Sequence, residues 1–131
     1  SNPGATRVIK SAPLRARVPN DWVLYAMEGP DFRVHYLQRL GDPATEANAT
    51  IGIYLGDHPS ARSGDGREGT LLGNTVQWHD TNEGGAFREE TVFEPPVETG
   101  TSFMHVFIGA SEAALRDEAR AIVTSLEGTQ R

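Results

Sequence analysis

The sequence predicts an α+β domain: a mostly antiparallel sheet of six or seven strands covered by one C-terminal amphipathic helix. Three observations carry this. Short apolar segments with period-two alternation recur between Leu14 and Ile108. Turn residues separate them, and 14 Gly and 8 Pro in 131 residues disfavour long helices. Only the segment after Ser111 has clear helical periodicity, and such a stripe has to be buried against a sheet.

The elements follow in order. Leu14, Ala16 and Val18 alternate with Arg15 and Arg17, a half-buried strand that ends at the Pro19-Asn20-Asp21 turn. Trp22 to Met27 forms the next strand, and Gly29-Pro30-Asp31 turns the chain. Phe32, Val34 and Tyr36 then alternate with Arg33, His35 and Leu37, which puts His35 with Arg33 on a solvated face. Gly41-Asp42-Pro43 closes that strand, and residues 43–49 have room for one helical turn. Ile51 to Gly56 is a strand whose two glycines weaken it or mark the close approach of another backbone.

Residues 57–69, DHPSARSGDGREG, read as a loop. Thr70 to Asp80 reads as one extended strand, and Phe87 to Phe93 pairs with it as a hairpin. Phe103 to Ile108 is the most apolar strand and is expected at the centre of the sheet. In the helix, Ser111 is the expected N-cap, Leu115, Ala119, Ile122 and Leu126 form the buried stripe, and Gly128 is the terminator. The chain thus divides into a flexible tail over residues 1–12, one domain over 13–127 and a short tail over 128–131.

Composition narrows the function. The first 17 residues hold four cations and no acid, so an overall charge of −6 leaves the rest of the chain at −10. An acidic body repels phosphate backbones, which argues against a nucleic-acid partner. No apolar run approaches the ~20 residues of a membrane-spanning helix. The absence of cysteine excludes thiol catalysis, disulfides and thiolate metal sites. The chain opens on Ser1-Asn2 without an initiator Met, so the expectation is a trimmed product whose upstream signal or lipoprotein cysteine directs it to the periplasm or cell surface.

The VPNDW turn (Val18–Trp22), the GTLLGNTVQWHD segment (Gly69–Asp80) and the closing FMHVFIGASEAALRDEARAIVTSLE unit (Phe103–Glu127) together resemble the PsbP-like fold. That fold is shared by the extrinsic photosystem II protein, a Ran-binding nuclear import factor and DcrB-type bacterial envelope proteins. The resemblance runs from about residue 13 to 127 and is one of pattern and spacing. It implies a non-catalytic binding or assembly domain, often exported, with no cofactor and a protein or small-molecule partner. It brings no catalytic residue with it.

The residues themselves offer few sites. Gly64 to Gly69, GDGREG, matches the dinucleotide pattern G-x-G-x-x-G, but a strand rather than a helix is expected after it. Asp57–His58 and His79–Asp80 are the only His–Asp couples. Neighbours in a strand point to opposite faces, so Asp57 does not orient His58. A small metal-dependent enzyme or hydrolase using His58, His79 and Asp80 would need the two histidines to meet across strands with a third group such as Asp80 or His105, a pattern that no H-E-x-x-H spacing supports. His105 lies between Phe103 and Phe107 and reads as a packed, hydrogen-bonded core histidine. No serine sits in G-x-S-x-G, and Glu89 and Glu90 alternate faces, with Glu89 expected in solvent. Trp22 and Trp78 each continue an apolar stripe, which favours the core. The expected recognition surface is the 57–69 loop with the aromatic edge beside it: Asp57, His58, Arg62, Arg67, Trp78, His79 and Asp80.

Overall fold

The computed structural model describes residues 6–11, 14–39, 47–57, 66–80, 87–94 and 103–128. Strands β1 (Thr6–Ser11) and β2 (Leu14–Pro19) form an antiparallel pair. The main sheet holds β3 (Trp22–Glu28), β4 (Arg33–Arg39), β5 (Ala49–Gly56), β6 (Arg67–Leu71), β7 (Asn74–Asp80), β8 (Phe87–Phe93) and β9 (Phe103–Ala110). Helix α1 (Ala113–Thr124) follows, and β10 (Glu127–Gly128) joins β2 to complete a three-stranded sheet. The seven strands lie in the order β3-β4-β5-β9-β8-β7-β6, and each pairs antiparallel with its neighbours. The most apolar strand, β9, is therefore the central one, as its composition predicts.

One face of this sheet is covered. Ile51, Ile53 and Leu55 of β5 and Met104, Val106 and Ile108 of β9 point towards it and are almost fully buried. Leu115, Ala119, Ile122 and Val123 of α1 meet them, so the predicted helical stripe lies over the sheet. Leu14, Ala16 and Val18 of β2 belong to the same core and complete the cover beside the helix. Trp22 anchors the β3 end of this layer, its indole Nε1 donating to Glu118 Oε1 at 2.7 Å.

Several local expectations are corrected. Part of the expected tail, Thr6–Ser11, is a strand, because β2 offers it a pairing edge over six residues. Thr70–Asp80 is not one strand but a hairpin: Leu71 pairs with Asn74 across Leu72 (φ 51°) and Gly73 (φ 81°). Two left-handed residues match the twist of a tight hairpin, and Leu72 accepts that backbone while packing against the core. Strand β6 thus takes Arg67–Gly69 out of the expected loop, and no helix follows the G-x-G-x-x-G match.

Ser111 is not the N-cap. Glu112 holds that position without a side-chain cap bond, while Ser111 Oγ accepts from the Asn48 N–H at 2.9 Å and so ties the start of α1 to the approach of β5. Gly128 belongs to β10 rather than ending the helix. Ser125 is the C-cap; its hydroxyl donates to the Ile122 carbonyl at 2.6 Å and accepts from the Arg17 N–H at 2.9 Å. The helix is thereby fastened to β2. Most of the helical turn expected over 43–49 lies outside the described residues; within it, Ala49 already belongs to β5.

Two titratable side chains expected in solvent are buried. His35 is 2 % exposed and faces the covered side beside Ile53, its cross-strand partner. Burial, then the charge of Arg33, hold its pKa below 6.5, against the opposing pull of Glu28. Glu89, 4 % exposed, accepts from Arg120 Nε at 2.6 Å and from Arg67. Burial alone would raise its pKa; the hydrogen bonds and charge of Arg120, then the charge of Arg67, outweigh that and hold it below 4.5. The carboxylate is a clamp that joins α1 to the β6 and β8 strands beneath it.

Candidate functional site

Among the described residues neither α1 nor the small sheet lies over the opposite face of the sheet, and in that sense it is the uncovered face. Cross-strand partners share a face, so the register defines its rows. One row reads Tyr25, Tyr36, Gly52, Phe107, Glu90 and His79 across β3, β4, β5, β9, β8 and β7. The next places Met27, Val34, Tyr54, His105 and Val92 side by side, and the third Val23, Gln38, Thr50, Gly109 and Arg88. The face is aromatic towards β3 and polar towards β7.

Its rings are ordered by one another. Tyr25 and Tyr36 stack with centroids 5.0 Å apart, and Tyr36 meets Phe107 edge-on at 6.3 Å. Phe107 lies over Gly52: a Cβ there would run into its ring. A strand glycine here admits an aromatic ring, where the sequence offered either a weakened strand or the approach of a second backbone. Gly109, two residues on and on the same face, has nothing within 4 Å of where a Cβ would stand.

That opening is the floor of a cavity of about 570 Å³. Phe107 forms one wall, and Thr50, Arg88, Glu90 and His105 supply polar groups around it. His105 therefore does not sit in the core: it is part-buried on the uncovered face, with its ring 5.2 Å from that of Phe107. Its Nε2 lies 3.2 Å from Glu90 Oε1. A carboxylate only accepts, so Nε2 carries the proton and Nδ1 is left as an acceptor. Burial holds the His105 pKa below 6.5, against the charge and hydrogen bond of Glu90, so the ring is neutral at pH 7.

Among the described residues, those expected to form the recognition surface do not share one face. His58 and Arg62 lie outside the described residues. Asp57 is exposed just beyond the end of β5. Trp78 is 6 % exposed and packs in the core, so it offers no aromatic edge. Arg67 turns to the covered side, where it meets Glu89 and lies 3.8 Å from Asp80. His79 stands on the uncovered face opposite Glu90. His79 and Asp80 thus project to opposite faces and cannot serve one site together. Among the described residues no group of three His, Asp or Glu side chains is arranged to hold a metal ion.

What the sequence reading missed is the set Thr50, Arg88, Glu90, His105, Phe107 and Gly109. The usable signal was the alternation in β8 and β9, which separates Arg88 and Glu90 from Glu89, and His105 and Phe107 from Met104 and Val106. Among the described residues no helix is long and apolar enough to cross a membrane. No family model, no curated protein and no solved structure matches this chain.

Proposed function

We propose that this chain is a non-catalytic binding domain that takes a small polar ligand in the cavity on the uncovered face of its sheet. The observation that carries the reading is the open floor at Gly109 beside Phe107, lined by Arg88, Glu90, the His105 imidazole and the Thr50 hydroxyl; Glu89, already paired with Arg120 and Arg67, and Ser111, bonded to Asn48, line it too. A volume of about 570 Å³ is of the size that small-ligand sites occupy. Balanced charge suits a ligand that both donates and accepts, such as a sugar or a zwitterionic amino acid, with an apolar side laid on the Phe107 ring. The PsbP-like resemblance supports binding over catalysis, and it supports export to the periplasm or cell surface as part of the same reading.

Glu90–His105 favours one other reading, a hydrolase with His105 as general base in place of the His58, His79 and Asp80 cluster. Ser111, the serine lining the cavity, works against it because its hydroxyl is engaged with the Asn48 backbone.

The test is a thermal-shift screen of monosaccharides and α-amino acids against the native chain and Gly109→Leu. The added side chain meets open space and projects into the cavity, so the variant should fold normally and lose every ligand-induced rise in Tm. Equal shifts in both proteins would move the site elsewhere. Turnover of a simple ester that disappears in His105→Gln would establish the hydrolase instead.

A further inference from the structure

We propose that the β3 edge is a self-association surface, through which two copies of this chain pair β3 against β3 and extend the sheet across a two-fold axis. The inference is independent of the cavity.

Exposed edge strands are ordinarily blunted by charge, proline, a bulge or short length. The two edges of this sheet differ sharply in that respect. At one edge, β6 is five residues long and opens on exposed Arg67 and Glu68. At the other, β3 runs seven residues in continuous register with β4, from Trp22↔Arg39 to Glu28↔Arg33, with no bulge. It contains no proline or lysine, and its single charge, Glu28, sits at the end beside Arg33. Among the described residues five large apolar side chains stand exposed, of which Val23, Tyr25 and Met27 lie on this strand and Phe32 on the turn that follows it. Tyr25 is 45 % and Met27 58 % exposed. Among the described residues no strand pairs with the outer side of β3.

A second copy fits this edge because the strand is its own complement. A two-fold axis perpendicular to the sheet keeps the uncovered faces of both copies on one side, so only residues of like parity meet. Centred on Tyr25, that axis sets Val23 of one copy against Met27 of the other, Leu24 against Ala26, and Tyr25 against Tyr25. Glu28 falls opposite Trp22, so no like charges meet although each copy carries −6 overall. The Tyr25–Tyr36 stack of each copy then continues across the axis into that of the other. The interface is a single strand pair with one row of side chains on each face, smaller than the standard ~1,600 Å² contact. Dimerisation is accordingly a high-micromolar event.

Sedimentation equilibrium over a rising concentration series tests this. The native chain should move from 14.2 kDa towards twice that mass. Tyr25→Lys and Tyr25→Glu should each hold the monomer mass, since like charges then meet on the axis, and an equimolar mixture should recover the dimer. Met27→Lys, at the most exposed of these positions, should also weaken the dimer while leaving the circular dichroism spectrum unchanged. A native chain that stays at the monomer mass to near-millimolar concentration overturns the proposal. So does a dimer that survives Tyr25→Lys, or a charge-swapped mixture that remains monomeric.

Discussion

The two faces of the seven-stranded sheet use the same strands and different chemistry. On the covered side, aliphatic side chains of β5 and β9 meet a helix and a small sheet, and the charges admitted there are clamped, as Glu89 is by Arg120 and Arg67. On the opposite side the same sheet carries Tyr25, Tyr36, Tyr54 and Gly52 beside a cavity lined by Phe107, Gly109, His105 and Glu90. Aliphatic packing dominates the first face. It does not account for the second, where neither α1 nor the small sheet lies over the residues. The difference concentrates the aliphatic core on one side of the molecule and places a polar-lined cavity on the other.

Substitutions on the covered face should break the fold. Ile122→Asp places an unpaired carboxylate among buried aliphatics, at a cost of about 4 kcal/mol or more, and chemical denaturation should show a largely unfolded chain. Glu89→Gln should cost about 2 kcal/mol near neutral pH through the lost charge-assisted bonds. Because the folded pKa of Glu89 lies below 4.5, its contribution is complete above that value and is lost as the pH falls through the folded value. Denaturation curves of native and variant should therefore converge in strong acid.

The glycines separate the faces more finely. Gly52→Ala drives its methyl into the Phe107 ring and should destabilise by about 1.5 kcal/mol. Gly109→Ala meets open space and should stabilise the strand by about 0.5 kcal/mol. Thermal melts of the pair should move in opposite directions.

The pH-dependent effect is in the histidines. His35 and His105 stand on opposite faces, and both fold with pKa values below 6.5. The unfolded chain binds those protons more readily, so stability is full above about pH 6.5 and falls below it. Each group contributes at most about 1.4 kcal/mol per pH unit. His35→Leu and His105→Gln should each flatten that slope, seen in denaturation midpoints between neutral and mildly acid pH.

Much of the fold was legible because it rests on periodicity. Alternation in Leu14–Val18 and the four-three-four spacing of Leu115, Ala119, Ile122 and Leu126 both read through to buried positions. The β6–β7 hairpin was not legible: its turn is Leu72-Gly73, and a leucine in the left-handed region is held there by its packing against the core. Glu89 was misplaced because its partners, Arg67 and Arg120, are 22 and 31 residues away and no local pattern links them. His35 and His105 were exchanged for a related reason. Alternation says which residues share a face, but only the placement of α1 and β2 says which face is covered. The candidate site was hidden by the same ambiguity, since His105 and Phe107 read equally well as core.

The most direct test of the division between faces is a ¹H–¹⁵N titration of the native chain with the monosaccharides and α-amino acids of the screen. The account predicts shifts confined to the uncovered face, at Thr50, Arg88, Glu90, His105, Phe107 and Gly109, with the amides of α1 unmoved. Shifts concentrated on α1 or the small sheet, or no shift with any member of the panel, would contradict it.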